Sequence, residues 1–207
     1  MTLIAFASAV ALSVPLFAPA PDPQSGSVAT ENIFKALALE AGQTVCEIGA
    51  GNGELSIAAA RVVGEQGQVL TSELGDERLR ALRQRVAASA LPQITVVDGA
   101  AAATNFPDAA CDALFMRNVY HHFADPAAMN ASVAAALKPG ARLAIVDFSP
   151  PPGSEAPTPA DRGKDGMHGV TAETLAREMA AAGFTAVASE TGAQRWFMIV
   201  VAKPPAR

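Results

Sequence analysis

From Val28 onward, short apolar runs alternate with segments whose apolar positions recur every three or four residues. The runs at 44–48, 68–73, 93–97, 112–117 and 141–148 have strand length and character, and the segments between them have helical periodicity. Predicted helices cover 31–39, capped by Thr30 with Ile33, Phe34 and Leu37 on one face, then 54–63 and 76–89. A fourth runs from Pro126 to Leu137, with Asp125 as N-cap and proline at the first helical position. A fifth spans 171–182, and Gly183 ends it as a left-handed residue would. Two closing strands, 184–190 and 195–202, are separated by a connection short enough for a hairpin, so the end of the sheet should be antiparallel. Alternation of this kind predicts an α/β domain, a mostly parallel sheet covered by helices on both faces.

The pattern fails at the N-terminus. The first 20 residues carry no charged side chain, and Ala18-Pro19-Ala20 is a small-residue stretch like that of a secretory cleavage site. Residues 1–27 are thus expected to be an apolar leader, signal-like or anchoring, with a Pro/Gly/Ser-rich linker over 18–27, and 28–207 to be the single folded domain. Export or membrane attachment through the leader is the expectation, with a cytoplasmic location as the alternative. A net charge of -5 and the absence of any basic run argue against a nucleic-acid partner. Cys46 and Cys111 have no metal-ligand spacing and read as buried free thiols, with a disulfide open to them if their strands are neighbours.

Chemistry concentrates in four places. The string Val45-Cys46-Glu47-Ile48-Gly49-Ala50-Gly51-Asn52-Gly53-Glu54 is a strand entering a glycine turn that opens a helix. Glycine at 49, 51 and 53 lets the backbone bend sharply and approach a ligand closely. A dinucleotide fingerprint would need its third glycine at position 54, where Glu54 would instead face a pyrophosphate. A cofactor without phosphate, such as one bearing a sulfonium and an amino group, suits the turn better. Twenty-two residues beyond Gly51, Glu73 ends the second strand with Leu74 beside it, placed to accept hydrogen bonds from both hydroxyls of a ribose. Asp98-Gly99-Ala100 follows the third strand, where Asp98 could hold an adenine amino group. After the fourth strand come Arg117 and Asn118, then His121 and His122, in the loop where a reacting group would meet its acceptor.

Taken together these strings resemble the class I S-adenosylmethionine-dependent methyltransferases, especially the ubiquinone and menaquinone C-methyltransferase branch and small exported relatives. Glu47-Ile-Gly-Ala-Gly-Asn-Gly looks like the first cofactor motif and Glu73 like the ribose acid. Phe106-Pro107-Asp108 through Asp112-Ala-Leu-Phe is similar to the approach to the fourth strand, and Leu137-Lys-Pro-Gly-Ala-Arg-Leu-Ala-Ile-Val-Asp147 to the fifth-strand motif. One departure is a run of four alanines after the third strand, where many relatives carry an acid or a proline pair. The resemblance implies a Rossmann-like seven-stranded fold, S-adenosylmethionine as methyl donor, a small-molecule acceptor and no metal. It implies cofactor contacts from Glu47, Gly49, Ala50, Gly51, Gly53, Glu73, Leu74, Asp98, Gly99, Ala100, Arg117, Asn118 and His122.

The long connection 149–169, rich in proline and glycine, has the composition of a lid and ends in Gly166-Met167-His168-Gly169. His168 is the leading candidate for a general base, with His121 and Asp147 behind it. Two other functions fit the same residues: a non-catalytic sensor or accessory protein that binds the cofactor, and a nicotinamide-dependent oxidoreductase, which Glu54 disfavours.

Overall fold

The computed structural model describes residues 28–164 and 168–206. The leader and linker expected over 1–27 lie outside the described residues, as do Gly166 and Met167 of the loop motif. Among the described residues the strands form one seven-stranded sheet in the order β3-β2-β1-β4-β5-β7-β6. They are β1 Thr44–Ile48, β2 Gln68–Glu73, β3 Ile94–Asp98, β4 Cys111–Arg117, β5 Leu137–Phe148, β6 Thr185–Thr191 and β7 Trp196–Ala202. The first five run parallel, and β7 pairs antiparallel with both β5 and β6. The antiparallel end predicted from the short hairpin is therefore present, with β7 inserted between β5 and the edge strand β6.

Among the described residues five α-helices flank the strands: α1 Thr30–Leu37, α2 Glu54–Val63, α3 Asp76–Ala88, α4 Pro126–Ala136 and α5 Ala172–Ala181. Because strand side chains alternate between faces, the sheet builds two cores. On one face Val45, Val69, Phe115 and Val146 pack with Ile33, Phe34 and Ile57 of α1 and α2. On the other, Leu114, Met116, Leu143 and Ile145 pack with Met129 and Val133 of α4 and Leu175 and Met179 of α5. Asp125 caps α4 as predicted, accepting from the Ala128 amide at 3.0 Å, and Thr171 caps α5. Thr30 does not cap α1: it is the first helical residue, and Ala29 holds the cap position without a side-chain bond.

Strand β5 begins earlier than predicted. Leu137 pairs with Cys111 and Arg142 with Ala113, so the Lys138-Pro139-Gly140 turn is absorbed as an irregularity inside a longer strand. The expectation of free thiols is overturned, since Cys46 and Cys111 form a disulfide with Cα atoms 5.8 Å apart. Its physical reason is the topology: β1 and β4 are adjacent although 65 residues separate the two cysteines. No helix among the described residues is long and apolar enough to cross a membrane.

Candidate functional site

Strand order reverses between β1 and β4, the place where the carboxyl ends of an open α/β sheet leave a crevice. A cavity of about 750 Å³ lies there, a volume suited to a ligand of nucleoside size. The ends of β1, β2 and β4 supply its walls.

Each glycine of the turn does a different thing. Gly49 and Gly51 both have positive φ and line the cavity. A Cβ on Gly49 would lie 2.4 Å from Val119 Cγ2, so glycine there lets the turn close on the loop after β4. A Cβ on Gly51 would meet no atom within 4 Å and would project into open space. Gly53 corrects the expectation of a cofactor contact: it does not line the cavity, and its Cβ would lie 2.8 Å from Leu82 Cδ1. Its role is close packing of the α2 N-terminus against α3.

Glu73 is buried at the cavity wall. Its Oε2 accepts from the Gly51 amide at 2.7 Å and its Oε1 from the Leu74 amide at 2.8 Å. The carboxylate thereby ties the end of β2 to the glycine turn, and each oxygen keeps acceptor capacity for a ligand hydroxyl. Leu74, Ala50, Gly99 and Ala100 also line the cavity. Asp98 does not: its carboxylate pairs with Arg83 of α3, and its main-chain carbonyl accepts from Asn105 Nδ2 at 2.7 Å. The adenine role expected of Asp98 therefore has no side chain at the cavity to carry it, because α3 supplies an arginine that draws the carboxylate away.

Glu47 lines the cavity floor, accepts a hydrogen bond from Ser56 Oγ, and has its pKa raised to about 7. Burial is the main cause, opposed by the Ser56 bond and by the Arg117 charge, with Glu73 adding repulsion. Asn118 stands at the end of β4 with φ of 61°, and its buried Oδ1 has no hydrogen-bond partner among the described residues. Arg117 lines the cavity as expected, and so do Ser72, Arg78, Val119, Phe123 and Met129, to which sequence reasoning assigned no role. Phe123 and Met129 carry the signature of ordinary core residues, and nothing in their spacing separates wall from core.

The base candidates come together on the same side. His121 and His122 sit on a 3₁₀ turn, Tyr120–His122, directly after β4. Asp147, fully buried near the end of β5, accepts from the His121 amide at 3.1 Å and lies 2.8 Å from His121 Nδ1. His168 Nε2 is 2.7 Å from His121 Nε2. The loop bearing His168 returns to its own origin, since the Val170 amide donates to the Phe148 carbonyl. Gly169 permits this: a Cβ there would lie 2.6 Å from Phe148 O. Arg162 fastens the loop by pairing with Glu178 of α5, which also accepts from the Tyr120 hydroxyl at 2.9 Å. Of the three histidines only His122 lines the cavity, and its pKa is lowered by burial first and by His121 and His168 next.

A methyltransferase-domain family matches residues 45–140, which hold the glycine turn, Glu73, Asn118 and two of the histidines. Over 114 residues the chain is 32% identical to the ubiquinone/menaquinone biosynthesis C-methyltransferase of a Marinomonas species, covering 55% of this chain and 45% of that one. The chain thus spans just under half the length of the curated relatives it matches. Among solved structures, a SAM-dependent methyltransferase from Aquifex aeolicus superposes with TM-score 0.71 at 22% identity, covering 84% of this chain and 88% of that one. The [4+2]-cyclase SpnF superposes with TM-score 0.74 at 17% identity over 86% of this chain and 81% of its own. At these identities the superpositions establish the fold, and a fold hosts more than one reaction. Glycine turn, acid at the β2 terminus, fifth-strand motif and domain match agree: residues 45–140 are similar to a methyltransferase domain, and the chain has the fold of S-adenosylmethionine-dependent methyltransferases.

Proposed function

We propose that the chain transfers a methyl group from S-adenosylmethionine to a small-molecule acceptor seated at the cavity mouth beside the 149–169 loop. One observation carries this reading: Gly51, Glu73 and Asn118 line a single nucleoside-sized cavity, with open space at Gly51 and acceptor capacity on the Glu73 carboxylate for a ligand that carries a ribose. S-adenosylmethionine supplies an electrophilic methyl carbon whose departing sulfur becomes a neutral thioether. Glu73 accepts from the ribose hydroxyls, and the open Gly51 position admits the ligand against the backbone. The Glu73 carboxylate favours positive charge in the cavity. The remaining task of the protein is alignment of the acceptor lone pair with the methyl carbon. Where the acceptor atom bears a proton, His168, backed by His121 and Asp147, is the group to remove it.

Incubation with S-adenosylmethionine carrying an isotopically labelled methyl and a mixture of small metabolites tests the proposal. Label should appear in one or a few small molecules, in equal amount to the S-adenosylhomocysteine formed. Saturable binding with no transfer to any acceptor would instead favour a sensor or accessory role.

The Cys46–Cys111 bridge adds support for the expected export or membrane attachment through the leader, because disulfides persist mainly in oxidising compartments. Fractionation of cells expressing the full chain tests this; recovery in the cytosol with both thiols reduced would refute it.

A further inference from the structure

We propose that His121, His122 and His168 form a site for a divalent transition metal, with zinc the best match to the donors, at the rim of the cofactor cavity. The whole chain contains three histidines. One ring nitrogen from each falls within 4.8 Å of the other two. They arrive from two segments, the turn after β4 and the end of the loop after β5, so chain proximity does not explain the gathering. Ring centroids are 4.0 Å apart for His121 and His122, 4.5 Å for His121 and His168, and 5.5 Å for His122 and His168. His121 is buried while His122 and His168 are exposed, which leaves the cluster accessible from solvent.

The surroundings select the ligand state of the buried member. Asp147 is fully buried against His121 Nδ1 at 2.8 Å, the carboxylate–histidine pairing that orients metal-bound imidazoles. As an acceptor Asp147 holds the proton on Nδ1, so the lone pair of a neutral His121 is on Nε2, the nitrogen turned toward His168. Zinc–nitrogen bonds of about 2.0–2.1 Å put tetrahedral ligands roughly 3.3 Å apart. The His121–His168 separation of 2.7 Å therefore has to open by about 0.6 Å to reach that spacing. Gly163 leaves room over His122, where a Cβ would stand 3.3 Å from Nδ1.

Three imidazoles leave a tetrahedral metal one open position, the pattern of sites that bind water or substrate. Since His122 lines the cavity, that position is next to the methyl acceptor, and a metal there would fix an oxygen, nitrogen or sulfur donor of the acceptor and favour its deprotonated form. This use of the metal rests on the methyl-transfer reading; the binding itself does not. Metal coordination and proton removal use the same lone pair of His168, so the base role proposed for His168 applies to the metal-free chain and the metal-bound chain activates the acceptor through the metal.

The test uses the untagged, disulfide-intact chain, freed of metal with a chelator and titrated with Zn²⁺ by calorimetry and with Co²⁺ by visible absorption. One saturable site per chain is expected, with the intense visible bands of four-coordinate Co²⁺. Asp147→Asn should weaken Zn²⁺ binding about 10- to 100-fold, and His122→Ala and His168→Ala should weaken it further. The last two side chains are exposed, so these variants keep the test open if Asp147→Asn fails to fold. Absence of saturable Zn²⁺ binding, or affinity that survives His122→Ala and His168→Ala, would overturn the site. S-adenosylhomocysteine binding to the metal-free chain is scored separately, so failure of the metal site and failure of the methyl-transfer reading give different results.

Discussion

Replacing Glu73 by Ala removes two things at once, and the structure says how far each should be felt. The carboxylate is the acceptor for the Gly51 and Leu74 amides and is placed to take both ribose hydroxyls. Gly51 and Leu74 are exposed, so water can replace the lost acceptor, and the folding cost should stay near 0.5–1.5 kcal/mol per bond. Binding has no such substitute inside an occupied cavity. A charge-assisted pair of hydrogen bonds contributes about 1.5–3 kcal/mol, so Kd for S-adenosylhomocysteine should rise about 10- to 150-fold. Calorimetric titration measures this, and urea unfolding of the same sample shows that the variant is folded. Glu73→Gln, which keeps an acceptor oxygen but loses the charge, should fall between parent and Ala. A folded Ala variant with parental affinity would remove Glu73 from the site and refute the reasoning.

Three further outcomes follow from residues already placed. Gly51→Val should abolish S-adenosylhomocysteine binding in a folded protein, whereas Gly53→Ala should retain binding and lose about 1 kcal/mol or more of stability, because its φ is 77° and its Cβ would strike Leu82; circular dichroism and titration separate the two. Reduction of Cys46–Cys111 opens a loop with a sequence separation of 65, and chain-entropy reasoning gives about 4 kcal/mol of lost stability; equal urea midpoints with and without reductant would contradict the bridge. Burial raises Glu47 from 4.5 to about 7, so the folded state binds this proton more tightly than the unfolded chain. Stability from this group is therefore full below pH 4.5 and declines as pH rises to about 7, by up to roughly 3 kcal/mol. Glu47→Gln should flatten that part of the unfolding profile.

Strands β1 and β2 and helix α2 were legible to the residue because apolar runs bounded by glycine and charge admit one reading. Part of the cavity wall was legible for the same reason: a glycine turn and a strand-end acid are positions set by local chain geometry. What sequence could not give depends on partners distant in the chain. Asp98 looked like a site acid until Arg83 of α3 drew it away, and Gly53 looked like a cofactor contact until Leu82 filled its space. Strand β5 hid its start because Pro139 and Gly140 read as a turn, whereas the register irregularity with β4 accommodates them. The disulfide required knowing that β1 and β4 are neighbours. His121 and His168 were singled out one by one; their meeting across 47 residues is visible only once β4 and β5 lie side by side.

Whether the cavity at the β1–β4 switch takes S-adenosylmethionine is measured most directly by calorimetric titration of the chain with S-adenosylhomocysteine beside a matched titration with NAD. The geometry of Gly51, Glu73 and Asn118, with Glu54 where a pyrophosphate would lie, predicts saturable one-to-one binding of S-adenosylhomocysteine and no heat from NAD over the same range. Saturable NAD binding, or a folded chain that takes up no S-adenosylhomocysteine, would contradict it.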